Sequence, residues 1–275
     1  MQTFQIFSGE DEHMKKKLII ANWKMNPSSA TEAKKLFSSI CRSARRRRKI
    51  NVVICPPSVF LGDVRNSATP QCTLGAQDVS VKSSPSGVGA YTGEVSSAML
   101  ASAGVRYVLV GHSERRTLGE TDAMVSQKIH AVIRDGLTPV LCVGEAVRDK
   151  EGEYLHFLRK EINDSLGSVK KRDISKIIMA YEPIWAVGKN AERADTPDEL
   201  FEMTILIRKI IGESYGRSIA MALPILYGGS VDENNAEAFL LRGGIQGFLV
   251  GRASINPDIF GHILKKAESV KSSEH

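Results

Sequence analysis

The chain has 275 residues, of which 42% are hydrophobic and 25% charged, and its formal net charge is +6 at pH 7. This composition is typical of a globular protein with a sizeable core, and no apolar run reaches the roughly 18 residues of a membrane-spanning helix. The excess of positive charge favours an acidic partner, which could be nucleic acid or a small phosphate ester.

The two ends of the chain are predicted to lie outside the fold. Residues 1–16 are polar and are interpreted as an N-terminal extension, either disordered or added upstream, with Met14 as an alternative start. The apolar stretch Leu18 to Ala21 is too short to be the core of a signal peptide. One catalytic domain is expected over residues 17–270, followed by a polar tail at 271–275.

The cysteines show no metal-binding spacing. None forms a CxxC pair, and three of the four lie beside or within apolar stretches; the positions are Cys41, Cys55, Cys72 and Cys142. Buried free thiols are therefore expected, in a protein of the reducing cytoplasm.

Eight short apolar runs, rich in β-branched residues, follow one another along the chain, and each ends in polar or glycine residues. The runs are Leu18–Trp23, Asn51–Cys55, Cys72–Ala76, Arg106–Val110, Thr138–Val143, Lys176–Tyr181, Pro224–Tyr227 and Gly247–Val250. Uninterrupted runs of this length are typical of strands buried on both faces, as in parallel sheets.

Helix signals lie between the runs. The stretch from Ser29 to Glu32 predicts a capping box at the start of an amphipathic helix. The stretch from Thr196 to Glu199 combines a cap, a proline at the first helical position and an acidic first turn. The predicted buried faces of these two helices are Ala33, Leu36, Phe37, Ile40 and Ala44, and Leu200, Met203, Ile207, Ile210 and Ile211.

Eight strand–helix units without a composition break predict the α/β class and a closed, single-domain (β/α)8 barrel. A doubly wound open sheet is the structural alternative. It usually has fewer strands, and its first turn often carries a glycine-rich fingerprint. The first turn here, Asn22 to Asn26, contains no glycine, which favours the barrel.

Catalytic groups of such a barrel lie where the strands end, on one face. The residues that follow the runs are Asn22, Lys24, Gln77, Asp78, His112, Ser113, Glu114, Arg115, Gly144, Glu145, Glu182, Gly228, Gly229, Ser230, Gly251 and Arg252. Glycine turns after the last two strands are suited to a phosphate, because exposed backbone N–H groups at a helix start attract an anion. One face is therefore expected to hold a phosphate site beside titratable groups.

Three side chains on this face suggest proton transfer. Glu182 could abstract a proton from a carbon next to a carbonyl, His112 could polarise the oxygen, and Lys24 could stabilise the negative charge that develops. Each residue taken alone has a structural explanation: a hydrogen-bonded histidine, a glutamate paired with an arginine, a solvated lysine. Their placement on one predicted face favours the catalytic interpretation.

These residues also carry a family resemblance, which extends from Lys17 over nearly the whole chain. The matching motifs are Ala21–Asn26, Gly89–Glu94, Gly111–Arg116, Ala180–Gly188, Tyr227–Val231 and Leu249–Gly251. Six motifs in this order resemble those of the triosephosphate isomerase family, whose fold is the TIM barrel.

The resemblance implies interconversion of dihydroxyacetone phosphate and glyceraldehyde 3-phosphate in glycolysis and gluconeogenesis, by a cytoplasmic enzyme without metal or organic cofactor. It implies that Glu182 shuttles the proton, neutral His112 serves the two oxygens, and Lys24 lies by the substrate. A glutamate base and a neutral imidazole are well-known features of this family, so the resemblance is the source of these two roles.

The resemblance further assigns the substrate contacts and the partner. Substrate-binding residues would be Asn22, Lys24, Gly188, Ser230, Gly251 and the backbone of Arg252, with Glu114 and Ser113 in support. The Gly89–Glu94 loop would form a homodimer, and no membrane contact is implied.

Three segments depart from the family pattern. The lid residues Lys189 to Asp195 replace a usual Thr-Gly-Lys sequence, and the stretch Val79 to Val88 before the dimer loop is several residues longer. Arg252 replaces a usual glycine at the phosphate site. The lid and Arg252 leave open a related four-carbon substrate, such as erythrulose phosphate.

A non-enzymatic alternative rests on the basic run Arg45 to Lys49 and the net charge of +6. The run could be a nucleic-acid patch on a barrel scaffold. No aromatic residues for base stacking interleave it, so the solvated end of the first helix is the favoured interpretation and nucleic acid is an unlikely partner.

Overall fold

The computed structural model describes residues 16–82, 86–186, 193 and 195–270. The predicted tail 271–275, and all but Lys16 of the predicted N-terminal extension, lie outside these residues. No helix in the described ranges is long and apolar enough to cross a membrane.

Eight parallel strands close into a barrel in the order in which they occur along the chain. The strands are Lys17–Asn22 (β1), Ile50–Cys55 (β2), Cys72–Ala76 (β3), Val105–Val110 (β4), Thr138–Val143 (β5), Ile178–Tyr181 (β6), Ile225–Tyr227 (β7) and Gly247–Val250 (β8). The sheet closes through β8 and β1, where Phe248 pairs with Ile19. The (β/α)8 prediction is confirmed, and the open-sheet alternative is wrong.

The α-helices of the described ranges lie between these strands or after the last one. They are Ala30–Arg45 (α1), Leu61–Val64 (α2), Ser97–Ser102 (α3), Ser113–Thr117 (α4), Asp122–Arg134 (α5), Glu153–Leu166 (α6), Pro197–Tyr215 (α7), Arg217–Ala222 (α8), Ala236–Arg242 (α9) and Pro257–Ser269 (α10). Short 3-10 helices cover Ser58–Phe60, Arg65–Ser67, Lys171–Lys176, Ile184–Ala186 and Arg252–Ile255.

The two helix starts predicted from caps are confirmed. The Ser29 hydroxyl accepts the Glu32 N–H before α1, and the Thr196 hydroxyl accepts the Glu199 N–H before α7. The reciprocal half of the first capping box is absent, because the Glu32 carboxylate accepts from the Ser28 hydroxyl instead. The predicted apolar faces of both helices are buried, apart from a half-buried Leu36.

Alternation along the strands divides the core into two layers. Side chains that point into the barrel form one cluster: Ile20, Val53, Cys55, Leu109, Val140, Cys142, Ile178, Ala180, Leu226 and Leu249. The larger cluster lies between the strands and the surrounding helices. Strands covered on both sides explain the uninterrupted apolar runs of the sequence.

The strand boundaries agree with the predicted runs to within one residue, except at the sixth. Residues 171–176 form a 3-10 helix there, and β6 begins only at Ile178. The Ile177 N–H donates to the Ile174 carbonyl, so Lys176 belongs to the preceding turn and the predicted strand start is wrong.

The basic run begins at Arg45, the last residue of α1, and continues through the turn before β2. It lies at the amino end of β2, and so at the opposite end of the barrel from the strand ends that carry the candidate residues. Arg46, Arg48 and Lys49 are exposed. Arg47 is the exception, because its guanidinium donates to the Gly261 carbonyl at 3.2 Å.

The expectation of free thiols is half correct. Cys55 and Cys142 are free and buried, and both lie inside the barrel. Cys41 of α1 and Cys72 of β3 form a disulfide instead. Sequence spacing concealed this pair because the two residues meet only when α1 packs across the barrel wall.

The disulfide predicts that two thiols, not four, react with a thiol reagent in unfolded, unreduced protein. Cys55 and Cys142 should account for both of them. The same protein reduced before unfolding is the control and should give four. Four reactive thiols without reduction would show that Cys41 and Cys72 are not bonded.

Candidate active site

A cavity of about 800 Å³ opens at the carboxyl ends of the strands. Nine of the predicted site residues line it: Asn22, Lys24, His112, Ser113, Glu114, Glu182, Ser230, Gly251 and Arg252. The tenth, Gly188, lies outside the described residues. The structure thus brings together side chains that are far apart in the sequence, as the strand-end argument predicts.

Glu182 follows β6 directly and is held by the neighbouring strands. Its N–H donates to the Val143 carbonyl of β5 at 2.8 Å, and the Gly228 N–H donates to the Tyr181 carbonyl at 2.7 Å. A Cβ on Gly144 would lie 1.9 Å from the Glu182 carbonyl oxygen, and one on Gly228 would lie 2.7 Å from Glu182 Cγ. Glycine at both positions lets the chain pass this close on either side of Glu182.

His112 caps the N-terminus of α4. Its Nδ1 accepts the Glu114 N–H at 3.2 Å, which requires a lone pair on that nitrogen. The ring proton of the neutral imidazole is therefore on Nε2, which lies 3.1 Å from Glu182 Oε1 inside the cavity. This tautomer can donate a hydrogen bond to an oxygen placed in the cavity.

Glu182 and His112 are both buried, with 5% and 7% of their surfaces exposed, so each depends on the other for stabilisation. Burial raises the pKa of Glu182. His112, the Ser113 N–H at 3.3 Å and Lys24 together lower this pKa by more than burial raises it, so the net direction is downward. Burial lowers the pKa of His112 and the adjacent Glu182 carboxylate raises it, with a net upward direction. The Glu114 N–H that Nδ1 accepts opposes a second ring proton, and this contact is the one that specifies the neutral ring. The carboxylate is therefore ionised at neutral pH, as a base must be.

Lys24 has an unusual backbone for a residue with a side chain. Its φ is +52°, in the left-handed region, and the Asn22 side chain accepts its N–H at 3.1 Å. The Gln77 amide donates to the Lys24 carbonyl at 2.8 Å, and the Lys24 ammonium pairs with Glu114 at 2.6 Å. Strain of this kind is often held at functional sites, and here it directs an ammonium into the cavity.

The predicted phosphate side of the cavity is lined by Ser230, Gly251 and Arg252. The Ser230 hydroxyl donates to the Ala186 carbonyl at 3.0 Å, and the buried Ser254 hydroxyl donates to the Gly251 carbonyl at 2.6 Å. Arg252 is exposed at the start of the last 3-10 helix and makes no ion pair with another described residue. Its charge is unmatched, whereas Lys24 is paired.

An ionic cluster around the buried pair Lys128 and Glu120, next to His112 in the structure, was not predicted. Lys128 of α5 contacts Glu120 and lies 2.6 Å from Asp78, whose other oxygen pairs with Arg115 at 3.0 Å. Glu120 also accepts the Gly111 N–H at 3.1 Å, directly before His112. Asp78 and Arg115 appeared among the strand-end residues, but nothing in the helical pattern marks Lys128 as buried.

Glu145 accepts hydrogen bonds from residues on both sides of Glu182 in the chain. Its Oε1 accepts from the Tyr181 hydroxyl and from the Trp185 indole, both at 2.8 Å. Tyr181 precedes Glu182 in the chain and Trp185 follows it by three residues. Its position after β5 identified Glu145 as a strand-end carboxylate, but not this role.

The assembled groups suit proton transfer at a carbon next to a carbonyl. A buried carboxylate can accept the proton, a neutral imidazole can donate to an oxygen, and an ammonium can stabilise negative charge. Among the described residues, no group of three histidines, cysteines or acidic residues could hold a metal ion.

Comparison of the sequence with known proteins identifies the family of this chain. The family model described as triosephosphate isomerase matches residues 17–267. The chain is 38% identical to the triosephosphate isomerase of Cytophaga hutchinsonii over 256 residues, which cover 92% of this chain and 99% of the relative. It is 40% identical to that of Halorhodospira halophila over 257 residues, with the same two coverages. It is 36% identical to that of Symbiobacterium thermophilum over 262 residues, covering 94% and 100%.

The close approach at Gly144 gives a test of how Glu182 is positioned. Gly144→Ala should destabilise the protein by about 1–3 kcal/mol, because the 1.9 Å contact is with backbone that must move. Chemical denaturation measures this. Gly62→Ala in α2 is the control, since its Cβ meets nothing within 4 Å. Equal effects of the two substitutions would contradict the close packing of β5 against Glu182.

Proposed function

Because the chain belongs to the triosephosphate isomerase family, we propose that it interconverts dihydroxyacetone phosphate and D-glyceraldehyde 3-phosphate. The chain is an isomerase by family, and its relatives bear that activity in their names. The observation that carries the proposal is the contact of Glu182 with His112 at 3.1 Å, in a cavity that Lys24 also lines.

Glu182 is the proposed base. Its carboxylate takes a proton from the carbon beside the substrate carbonyl, and the electron pair of that C–H bond forms the enediolate. The His112 Nε2–H donates to the oxygens, and Lys24 stabilises their charge. The His112 Nε2–H gives its proton to the oxygen of the former carbonyl and takes back the proton of the neighbouring hydroxyl, whose oxygen becomes the new carbonyl. The Glu182 carboxylic acid then returns a proton, either the abstracted one or one exchanged with solvent, to the neighbouring carbon, so atoms and charge balance over the cycle.

Substrate must first displace the present partners of Glu182. The carboxylate accepts from the Ser113 N–H at 3.3 Å and lies against His112. Ser113 and Glu114 therefore support the site, one as a donor to the resting base and the other as the partner of Lys24. Asn22 supports it through the Lys24 N–H.

We propose that the phosphate group binds at the two glycine turns, where Ser230, Gly251 and Arg252 line the cavity. Gly188 is proposed as a further contact on the resemblance alone. The chemistry uses no metal or organic cofactor in this proposal.

A homodimer through the Gly89–Glu94 loop is also proposed. A second cavity, of about 430 Å³, adjoins the first and is lined by Lys24, Gln77, Arg115, Gly93 and Glu94 among others. Two large apolar side chains that lie one and two residues from lining residues in the chain face solvent, Met25 with 93% and Tyr91 with 46% of the surface exposed. A partner subunit packed there would cover them and restrain the loop that carries Lys24.

We also propose a cytoplasmic location. Free Cys55 and Cys142 support it, and the Cys41–Cys72 bond weighs against it. Protein extracted from its natural compartment under acid quenching should show four free thiols if that compartment is reducing and two if it is oxidising.

A four-carbon ketose phosphate is the second candidate substrate, favoured by the unmatched charge of Arg252 and a cavity of about 800 Å³. Under the leading proposal, kcat/KM for the three-carbon substrate should exceed that for erythrulose phosphate by at least tenfold. Arg252→Gly should raise KM for both by about 3–10-fold, since it removes one charged donor, whereas Arg252→Lys should not. A preference for four carbons would reverse the assignment.

Glu182→Asp should lower kcat by about 10²-fold, because it withdraws the carboxylate by roughly 1 Å. Glu182→Gln removes the base and should lower kcat by about 10²–10⁴-fold. A coupled assay of glyceraldehyde 3-phosphate turnover measures both, with exposed Glu151→Gln as the control. An inactive wild type, or an unimpaired Glu182→Gln, would refute the proposed function.

The dimer proposal predicts that the wild-type protein sediments at twice the chain mass. Tyr91→Glu places a charge in the proposed interface and should give a monomer with reduced kcat. Met221→Glu, at a side chain 56% exposed on α8, is the control and should stay dimeric. A monomeric, fully active wild type would rule the dimer out as a requirement.

A further inference from the structure

A buried polar cluster lies around Tyr181, the last residue of β6, which directly precedes Glu182. Six buried side-chain atoms of the described residues have no hydrogen-bond partner, and three of them belong here: Glu145 Oε2, Arg148 Nη1 and Asp195 Oδ2. Unsatisfied buried groups cost free energy, and three of these six atoms lie in one place. Such a concentration beside an active site points to a role other than folding.

Asp195 is the least expected member of this cluster. It stands directly before the Thr196 cap of α7, is 8% exposed, and accepts the Thr196 N–H through Oδ1 at 2.8 Å. The Tyr227 hydroxyl lies close enough to its carboxylate to interact with it, although Asp195 Oδ2 makes no hydrogen bond of standard geometry with a described residue, and the Arg148 guanidinium is close enough to stabilise its charge. Arg148 in turn lies over the Trp185 ring at 5.6 Å.

Tyr227 connects Asp195 to the phosphate side of the cavity. It is the last residue of β7, and its hydroxyl would lie 2.1 Å from a Cβ on Gly229. The Gly228 N–H next to it donates to the Tyr181 carbonyl, one residue before Glu182. The position of the Tyr227 hydroxyl therefore affects the backbone of the Gly228–Ser230 turn.

We propose that Asp195 is a positioning residue whose ionised carboxylate fixes the Tyr227 hydroxyl and, through it, the glycine turn that binds the substrate phosphate. This proposal rests on the proposed function for the identity of the bound anion. Asp195 itself does not touch the substrate.

The charge of Asp195 depends on pH in the working range. Burial raises the pKa of Asp195 to about 6, and Glu199 adds to the rise, while the Thr196 N–H, Arg148 and Tyr227 oppose it. Tyr181 of β6 also faces the group, and Arg193 pairs with Glu199.

The upward direction of this pKa shift shows that the charge of Asp195 does not stabilise the fold. Because the folded-state pKa lies above the ordinary value of 3.8, the charge of Asp195 lowers the stability of the fold as pH rises from about 3.8, and the loss is complete above about pH 6. Folding alone would favour an uncharged side chain here. A carboxylate held against this cost is explained if its charge orders Tyr227.

The test compares Asp195→Asn with wild type from pH 5 to pH 8. The ratio of wild-type to variant kcat/KM should be about tenfold at pH 8 and fall to within twofold at pH 5, where wild-type Asp195 is protonated. Substrate phosphate and Glu182 titrate alike in both proteins, so they cancel from the ratio. Asp198→Asn, at an exposed residue paired with Arg242, is the control and should give a ratio near one throughout.

A ratio that is constant with pH would overturn the proposal, as would an equal effect of Asp198→Asn. Tyr227→Phe should weaken binding of inorganic phosphate about as much as Asp195→Asn does at pH 8. Unchanged phosphate affinity in Tyr227→Phe would overturn the route through the tyrosine.

Thermal unfolding keeps this test separate from the isomerase assignment. The melting temperature of Asp195→Asn relative to wild type should rise between pH 5 and pH 8, whatever the substrate. A wild type that binds phosphate but does not isomerise would refute the proposed function alone. A melting difference independent of pH would refute the role of Asp195 even in an active isomerase.

Discussion

The contact between two buried groups, the Glu182 carboxylate and the His112 imidazole at 3.1 Å, is the interaction on which the rest of the site depends. A buried charge is costly unless it is paired and hydrogen-bonded. Here the barrel closure brings the ends of β4 and β6 together, the Ser113 N–H supplies a donor, and Lys24 supplies a cation. The site keeps a base ionised in an environment that would otherwise neutralise it.

That contact explains several features that look unrelated. The absence of side chains at Gly144 and Gly228 lets the backbone approach Glu182, and the strained φ of Lys24 turns its ammonium into the cavity. Glu145 holds the residues on both sides of Glu182. The barrel is a rigid frame for these few distances, and the chemistry depends on loops at the strand ends.

The sequence predicts most of this frame because its signals are local or periodic. Strands such as Thr138–Val143 are bounded by clear polar stops, and the Thr196 cap marks the start of α7. Residues that follow strands must meet on one face, which is why Glu182 and His112 could be identified. The buried Lys128, the Cys41–Cys72 pair and the surroundings of Asp195 depend instead on side-chain packing between distant elements, for which no periodic pattern exists.

Proton removal from the substrate carbon by Glu182, with formation of an enediolate, is the step on which the proposed function depends. Isomerisation carried out in D2O, with the product analysed by NMR, tests it most directly. Proton exchange at the acidic group predicts deuterium on the carbon next to the carbonyl in wild type, and no incorporation or turnover with Glu182→Gln. Turnover and deuterium incorporation by Glu182→Gln at the wild-type level would contradict proton abstraction by this carboxylate.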